Sequence, residues 1–168
     1  MFFRSMKVWI AATVLVVLVL AGTAIGVHVT SSTSFCLSCH EMRVHQQELA
    51  LSPHAQDARG NAIECVQCHI PSTNIVRMLS AKTWLGTKDL WVHATTGGSV
   101  TLNRREIQPE ARRFMDDANC RACHEDLYRN AKNDGAISEY GRLAHDNYLD
   151  KNGSSRSGCA GCHRNIAH

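Results

Sequence analysis

Cysteine, two intervening residues, cysteine and then at once histidine occurs four times in this chain: Cys36-Leu-Ser-Cys39-His40, Cys65-Val-Gln-Cys68-His69, Cys120-Arg-Ala-Cys123-His124 and Cys159-Ala-Gly-Cys162-His163. Together the motifs use all eight cysteines. At this spacing two thiols can add to the vinyl groups of a haem while the adjacent imidazole approaches the iron. Two C-x-x-C pairs could instead form a zinc knuckle, but an all-cysteine site has no need of the histidine that follows each pair. A disulfide framework is the other option, yet a bridge across two residues is mostly a redox device and not a staple. The motifs therefore predict four covalently bound haem c groups. Only the first motif has a methionine two residues after its histidine, so Met42 is a second candidate ligand for the first iron.

Each haem iron takes two axial ligands, and His40, His69, His124 and His163 nominally supply one apiece. The other histidines are His28, His45, His54, His93, His145 and His168. Bis-histidine ligation holds iron six-coordinate and low-spin, which suits electron transfer over substrate binding. His54 in Leu-Ser-Pro-His and His145 in Arg-Leu-Ala-His both sit on the approach to the second motif of their half of the chain, and His168 follows His163 by five residues. These three are the candidate distal ligands. His45, at the same offset after His40, is a rival that spacing does not exclude.

The elements that position these groups must be small. Of 168 residues, about 130 remain after the N-terminal segment and loops to hold four porphyrins, and 6% of the chain is aromatic. The expected fold is mainly α, with short helices wrapped around haems that form the core and little or no sheet. The formal charge of +3 omits the haem propionates that some of the eighteen Lys and Arg must neutralise, so this weakly basic balance is no sign of nucleic-acid binding.

Residues 8–29 carry no Asp, Glu, Lys or Arg and are long enough to cross a bilayer, longer than the apolar core of a cleaved signal peptide. Arg4 and Lys7 precede them, which places residues 1–7 in the cytoplasm and 30–168 outside a bacterial inner membrane. Residues 30–34 read as a polar linker, so the first motif begins next to the lipid headgroups. Spacing divides the outer part into two-haem units of about 36–98 and 118–168, since successive first cysteines are 29, 55 and 39 residues apart.

Between the units, residues 71–96 show helical periodicity, ended by Gly97-Gly98. Lys82, Asp89 and His93 share one face and Trp84 and Trp91 mark a second stripe. One account is a solvated charged face with tryptophans on haem edges. The other is a quinol pocket, in which a carboxylate accepts a proton and an ammonium steadies the developing anion. Residues 101–117 read as a second short helix, with Glu110, Arg112 and Arg113 exposed and Phe114 and Met115 inward. Residues 135–158 read as loop-rich. No phosphate-binding glycine pattern or Ser/His/Asp order stands out.

With one anchor, four C-x-x-C-H sites and a methionine after the first, the sequence resembles the membrane-anchored tetrahaem c-type quinol dehydrogenases of the NapC/NirT/NrfH family. Its supporting stretches are Ser-Phe-Cys36-Leu-Ser-Cys39-His40-Glu-Met42, Lys82-Thr-Trp-Leu-Gly-Thr-Lys-Asp89-Leu-Trp-Val-His93 and Cys162-His163-Arg-Asn-Ile-Ala-His168, so it covers nearly the whole chain. The resemblance implies oxidation of menaquinol or ubiquinol from the membrane pool. It also implies delivery of electrons to a periplasmic haem-containing oxidoreductase, such as a nitrate or nitrite reductase, in what could be a stable hetero-oligomer. By the same resemblance Met42, not His40, binds the first iron, Asp89 occupies or shields its distal side, and Lys82 lines the quinol site. His54 would then serve the fourth haem with His163, and His168 the third with His124. His145 would be left for the second haem with His69, and His93 without a role. A relay or anchor subunit with no quinol site of its own is the alternative, followed by a multihaem reductase of small nitrogen compounds.

Overall fold

The computed structural model describes residues 2–98, 103–150, 158–164 and 166–167. Helix α1 (Phe2–Val29) begins six residues before the expected span, and its apolar part, Met6–Val29, has a mean hydropathy of 2.6 and no buried residue, with Val27 near its end part-covered. Thr13 and Thr23 donate their hydroxyls to the carbonyls of Trp9 and Val19 at 2.9 and 2.8 Å, so the helix satisfies its own polar side chains, as a lipid environment requires.

Only residues 30–32 remain as linker, fewer than expected, because Ser32 caps a new helix, α2 (Thr33–Cys36), by accepting from the Phe35 N–H. A 3-10 turn (His40–Met42) then leads into α3 (Arg43–Ala50). The second motif is α4 (Cys65–His69), opened by a capping box between Glu64 and Gln67. Asn74 caps the long α5 (Ile75–Thr96) by accepting from Val76 and Arg77. Gly97, at φ +60°, ends it where the sequence places the stop. Asn103 caps α6 (Arg104–Phe114), shorter than the expected 101–117, and Arg112 is half-buried with its guanidinium donating to Gln108. The third motif starts on α7 (Asp117–Arg121) and runs past its end, and the fourth lies on α9 (Gly158–Cys162) with His163 just beyond.

One element departs from the loop expected over 135–158: α8 (Glu139–Asp150). Gly141 and Asn147 lower its intrinsic propensity, but Ser138 accepts from the Gly141 N–H, and Arg142 pairs with both Glu139 at 2.6 Å and Asp146 at 2.7 Å. No strand occurs among the described residues, where two isolated antiparallel bridges, Gln56 with Ala62 and Arg129 with Ala136, pin the loops. The fold is mainly α, as expected.

The polypeptide has almost no core of its own. Among the described residues the buried apolar side chains are Ala81, Ala160 and the ring of Pro71, while Leu51 is 90% exposed and Tyr140 87%. The motif helices meet in chain order instead, α2 on α4, α4 on α7 and α7 on α9.

Candidate functional site

Polar clamps set the motif helices against one another. At the first junction the Thr33 N–H donates to the Glu64 carboxylate at 2.7 Å, and the Cys65 N–H donates back to the Thr33 hydroxyl at 3.2 Å. At the last, the Cys159 N–H donates to Asp117 at 2.7 Å, and the Tyr148 hydroxyl donates to the other Asp117 oxygen at 3.0 Å. Thr33 and Asp117 each stand three residues before the first cysteine of their own motif, and each accepts from the first cysteine of the next. Between them, Asn119 donates to the Ile70 carbonyl at 2.8 Å and accepts from Ser72, and Arg77 pairs with Asp116 at 2.9 Å.

None of the eight thiols is disulfide-bonded. In the third and fourth motifs the histidine N–H donates to the carbonyl of the first cysteine, His124 to Cys120 at 2.9 Å and His163 to Cys159 at 2.8 Å, and His69 ends helix α4. The first motif is built differently. Its helix stops at Cys36, Cys39 is extended (φ −85°, ψ 119°), and His40 starts the turn that carries Met42, which is half-buried. Gly98 adopts φ +72°, and a Cβ there would lie 2.6 Å from His40 Nε2, so the imidazole is packed against glycine backbone.

Among the described residues three pairs of imidazoles lie close together. The ring centres of His54 and His124 are 6.0 Å apart, those of His145 and His163 6.0 Å, and those of His40 and His93 6.1 Å. With metal–nitrogen bonds of about 2 Å and each ring centre roughly 1 Å behind its nitrogen, two imidazoles on one iron have centres about 6 Å apart. The non-motif partners are also oriented for this. Nδ1 of His54 lies 3.1 Å from the Ile166 carbonyl, and Nδ1 of His145 lies 2.6 Å from the Leu127 carbonyl. Such bonds fix the tautomer and leave Nε2 for a metal. Burial and the neighbouring His54 and His163 push the His124 imidazole below the usual histidine range, toward the neutral form that ligates. The thin core, the paired thiols and these ring spacings all fit haem.

The resemblance pairs His54 with His163 and leaves His145 for His69. The structure brings His54 to His124 and His145 to His163 instead, because α8 carries His145 over the fourth motif and the loop after α3 carries His54 to the third. His168 lies outside the described residues. The rival His45 sits on α3 with Nδ1 3.5 Å from Glu48.

The Lys82 ammonium donates to the Val27 carbonyl at 3.1 Å, the Thr30 hydroxyl at 2.9 Å and the Ser31 hydroxyl at 2.8 Å, which closes the C-terminal end of α1 and fastens α5 to it. Burial at this junction lowers its pKa from the usual lysine value. Asp89, half-buried two turns on, has no hydrogen bond among the described residues, and burial pushes its carboxyl above the usual range against the pull of Lys88. One turn further, His93 Nδ1 meets Glu41 at 2.8 Å. The Glu41 side chain is 9% exposed, and its second oxygen has no hydrogen bond among the described residues, with His40 Nδ1 3.8 Å away.

Residues 2–168 match the profile of the NapC/NirT cytochrome c family, N-terminal region. The chain belongs to that family. This NapC/NirT cytochrome is 30% identical over 149 residues to the tetraheme c-type cytochrome CymA of Shewanella oneidensis, covering 84% of this chain and 78% of that one. It is also 30% identical to the cytochrome c-type protein TorC of Escherichia coli K12, covering 86% of this chain but only 37% of TorC. A chain in the crystal structure of the cytochrome c nitrite reductase NrfHA complex bound to the HQNO inhibitor superposes with a TM-score of 0.51 at 26% identity, over 94% of this chain and 87% of that one. Within this NapC/NirT cytochrome the sequence reading missed Glu41, Thr33 and Asp117. Glu41 lies inside the first motif's tail, and only the fold reveals that it meets His93. The shared offset of Thr33 and Asp117 was visible in the numbering, but their partners were not.

Proposed function

We propose that the chain is a membrane-anchored tetrahaem cytochrome that oxidises quinol at the outer face of the inner membrane and delivers the electrons to a periplasmic oxidoreductase, such as a nitrate or nitrite reductase. The observation that carries this reading is the position of α5. Lys82 holds it against the last turn of α1, so Asp89 stands beside the bilayer's exit, on the helix whose next turn meets the first motif through His93 and Glu41. When attached, the haems would supply one-electron carriers for the two electrons of a quinol. Cys36/Cys39, Cys65/Cys68, Cys120/Cys123 and Cys159/Cys162 would hold them. His124 with His54 and His163 with His145 would ligate two irons, His69 a third, and Met42 the first, where His40 is packed against Gly98.

Quinol oxidation releases a proton for each electron, so a general base must reach the hydroxyl. Asp89 is that base: it is half-buried, without a hydrogen-bond partner among the described residues, and its raised pKa moves it toward the range in which a carboxylate accepts a proton near neutrality. Lys82 has its protons committed to α1, and it serves a quinol by offering one of them in exchange for the Thr30 or Ser31 hydroxyl. Haem attachment of this type takes place on the periplasmic side in bacteria, which agrees with Arg4 and Lys7 staying inside.

The test is anaerobic mixing of the detergent-solubilised holoprotein with a menaquinol analogue, following the haem absorption bands of wild type, Asp89→Asn and Lys82→Leu. Asp89→Asn should keep its haems and slow reduction about 100-fold, the usual worth of a general base. If Asp89→Asn reduces at the wild-type rate, the quinol site is not on this helix and the chain is a relay fed by another protein.

A further inference from the structure

We propose that the outward face of α5 is a second membrane contact, lying in the headgroup boundary of the outer leaflet beside the exit of α1. Val76, Thr83, Trp84, Thr87, Leu90 and Trp91 form this face at helical spacing, and none of them is ionisable. Val76 is 68% exposed, Trp84 59%, Leu90 67% and Trp91 69%. Over the 15 helical steps from Val76 to Trp91 the stripe is about 22 Å long. Leu79, Ser80, Thr83, Trp84 and Thr87 form a shallow, open depression on this one helix surface.

What covers this face follows from where α5 is fastened. The opposite face is already engaged, since Lys82 holds the end of α1, lies close to Cys36 of the first motif, and His93 holds Glu41. Lys82 sits mid-helix, so the outward stripe is one helix diameter from the last turn of the membrane span. Exposed apolar surface there lies at headgroup level, and Trp is the side chain that favours that boundary, with an apolar body and one N–H donor. Arg77 and Lys88 border the stripe, so its charged edge is cationic, which suits a surface of anionic lipid headgroups. The reading stands apart from quinol chemistry: α5 can rest on lipid whether or not Asp89 accepts a proton.

The experiment places the photocrosslinking residue p-benzoylphenylalanine at Thr87, or at Tyr140 on α8 as a control, in full-length holoprotein in phosphatidylglycerol and phosphatidylethanolamine nanodiscs. Haem absorption verifies that each variant is loaded, and mass spectrometry of peptides after irradiation reads the adducts. Lipid adducts at 87, at least ten times more abundant than at 140, are the expected result. Absence of lipid adducts at 87, equal labelling at 140, or a crosslink from 87 to a second copy of the chain would each overturn the proposal.

Discussion

A single hydrogen on Gly98 decides whether His40 can stay where it is. Gly97 and Gly98 both have positive φ, +60° and +72°, so alanine at either is strained by about 1 kcal/mol. Only at 98 does a new Cβ meet anything: His40 Nε2 at 2.6 Å and Glu41 at 3.3 Å, whereas nothing lies within 4 Å at 97. Gly98→Ala must therefore move the His40 ring, and Gly97→Ala need not. The expected result is a change in the absorption and magnetic-resonance signature of one haem in Gly98→Ala, with an unaltered spectrum in Gly97→Ala. Identical spectra would mean that His40 is not held by this contact. Sequence reasoning found every cysteine and histidine here, because C-x-x-C-H is local chemistry. It read Gly97-Gly98 only as a helix stop, and the resemblance set His54 with His163 where the fold brings it to His124, because which imidazole meets which depends on contacts between residues 70 apart.

Helices were legible where caps and periodicity agree. Asn74 and Gly97 bracket α5 close to the expected limits, and α6 lies inside its predicted segment. The same logic missed α8, whose Gly141 and Asn147 look like loop and whose support comes from Arg142 and from the Tyr128 hydroxyl donating to Asp146 at 2.7 Å. The junctions between motif helices were invisible for a related reason: each is a side chain reaching a backbone N–H in another element. Glu64 gives a direct test. The Thr33 hydroxyl and N–H hold its carboxyl below the ordinary value of 4.5. The unfolded chain therefore binds the proton more readily, and the α2–α4 clamp stabilises fully above the ordinary value and is lost as pH falls through the depressed one. Glu64→Gln keeps the shape and removes the charge. At pH 7 it should cost about 1 kcal/mol, at the low end for a charge-assisted bond because the group is solvent-accessible. Thermal melts should show the gap between wild type and variant closing below pH 4.5, and a gap constant down to pH 3 would place the stabilisation elsewhere.

At the scale of the whole molecule the decisive quantity is how little of the protein packs on itself. A domain of this size ordinarily offsets chain entropy by burying many large apolar side chains. Here Ala81, Ala160 and the ring of Pro71 are the buried apolar side chains among those described, and the longer helices join the short motif helices through polar contacts such as His93 with Glu41 and Tyr148 with Asp117. The short helices α2, α4, α7 and α9 are four or five residues long, below what persists in water without tertiary support. Two classes of structure should therefore respond differently to loss of haem. Helix α1 makes its own hydrogen bonds in an apolar phase and needs nothing from the cofactors. The outer part depends on porphyrin faces for its core and on covalent thioethers to hold the motif helices at their clamps. A chain produced without haem attachment, or with all eight motif cysteines replaced by serine, is expected to remain in the membrane fraction. It should lose most of the far-ultraviolet helical signal beyond that of the 28 residues of α1, and protease should trim it to a fragment ending near residue 30. A haem-free chain that kept its helical content and resisted the protease would show that the polar clamps suffice, and that the haems are passengers in a fold the polypeptide makes alone.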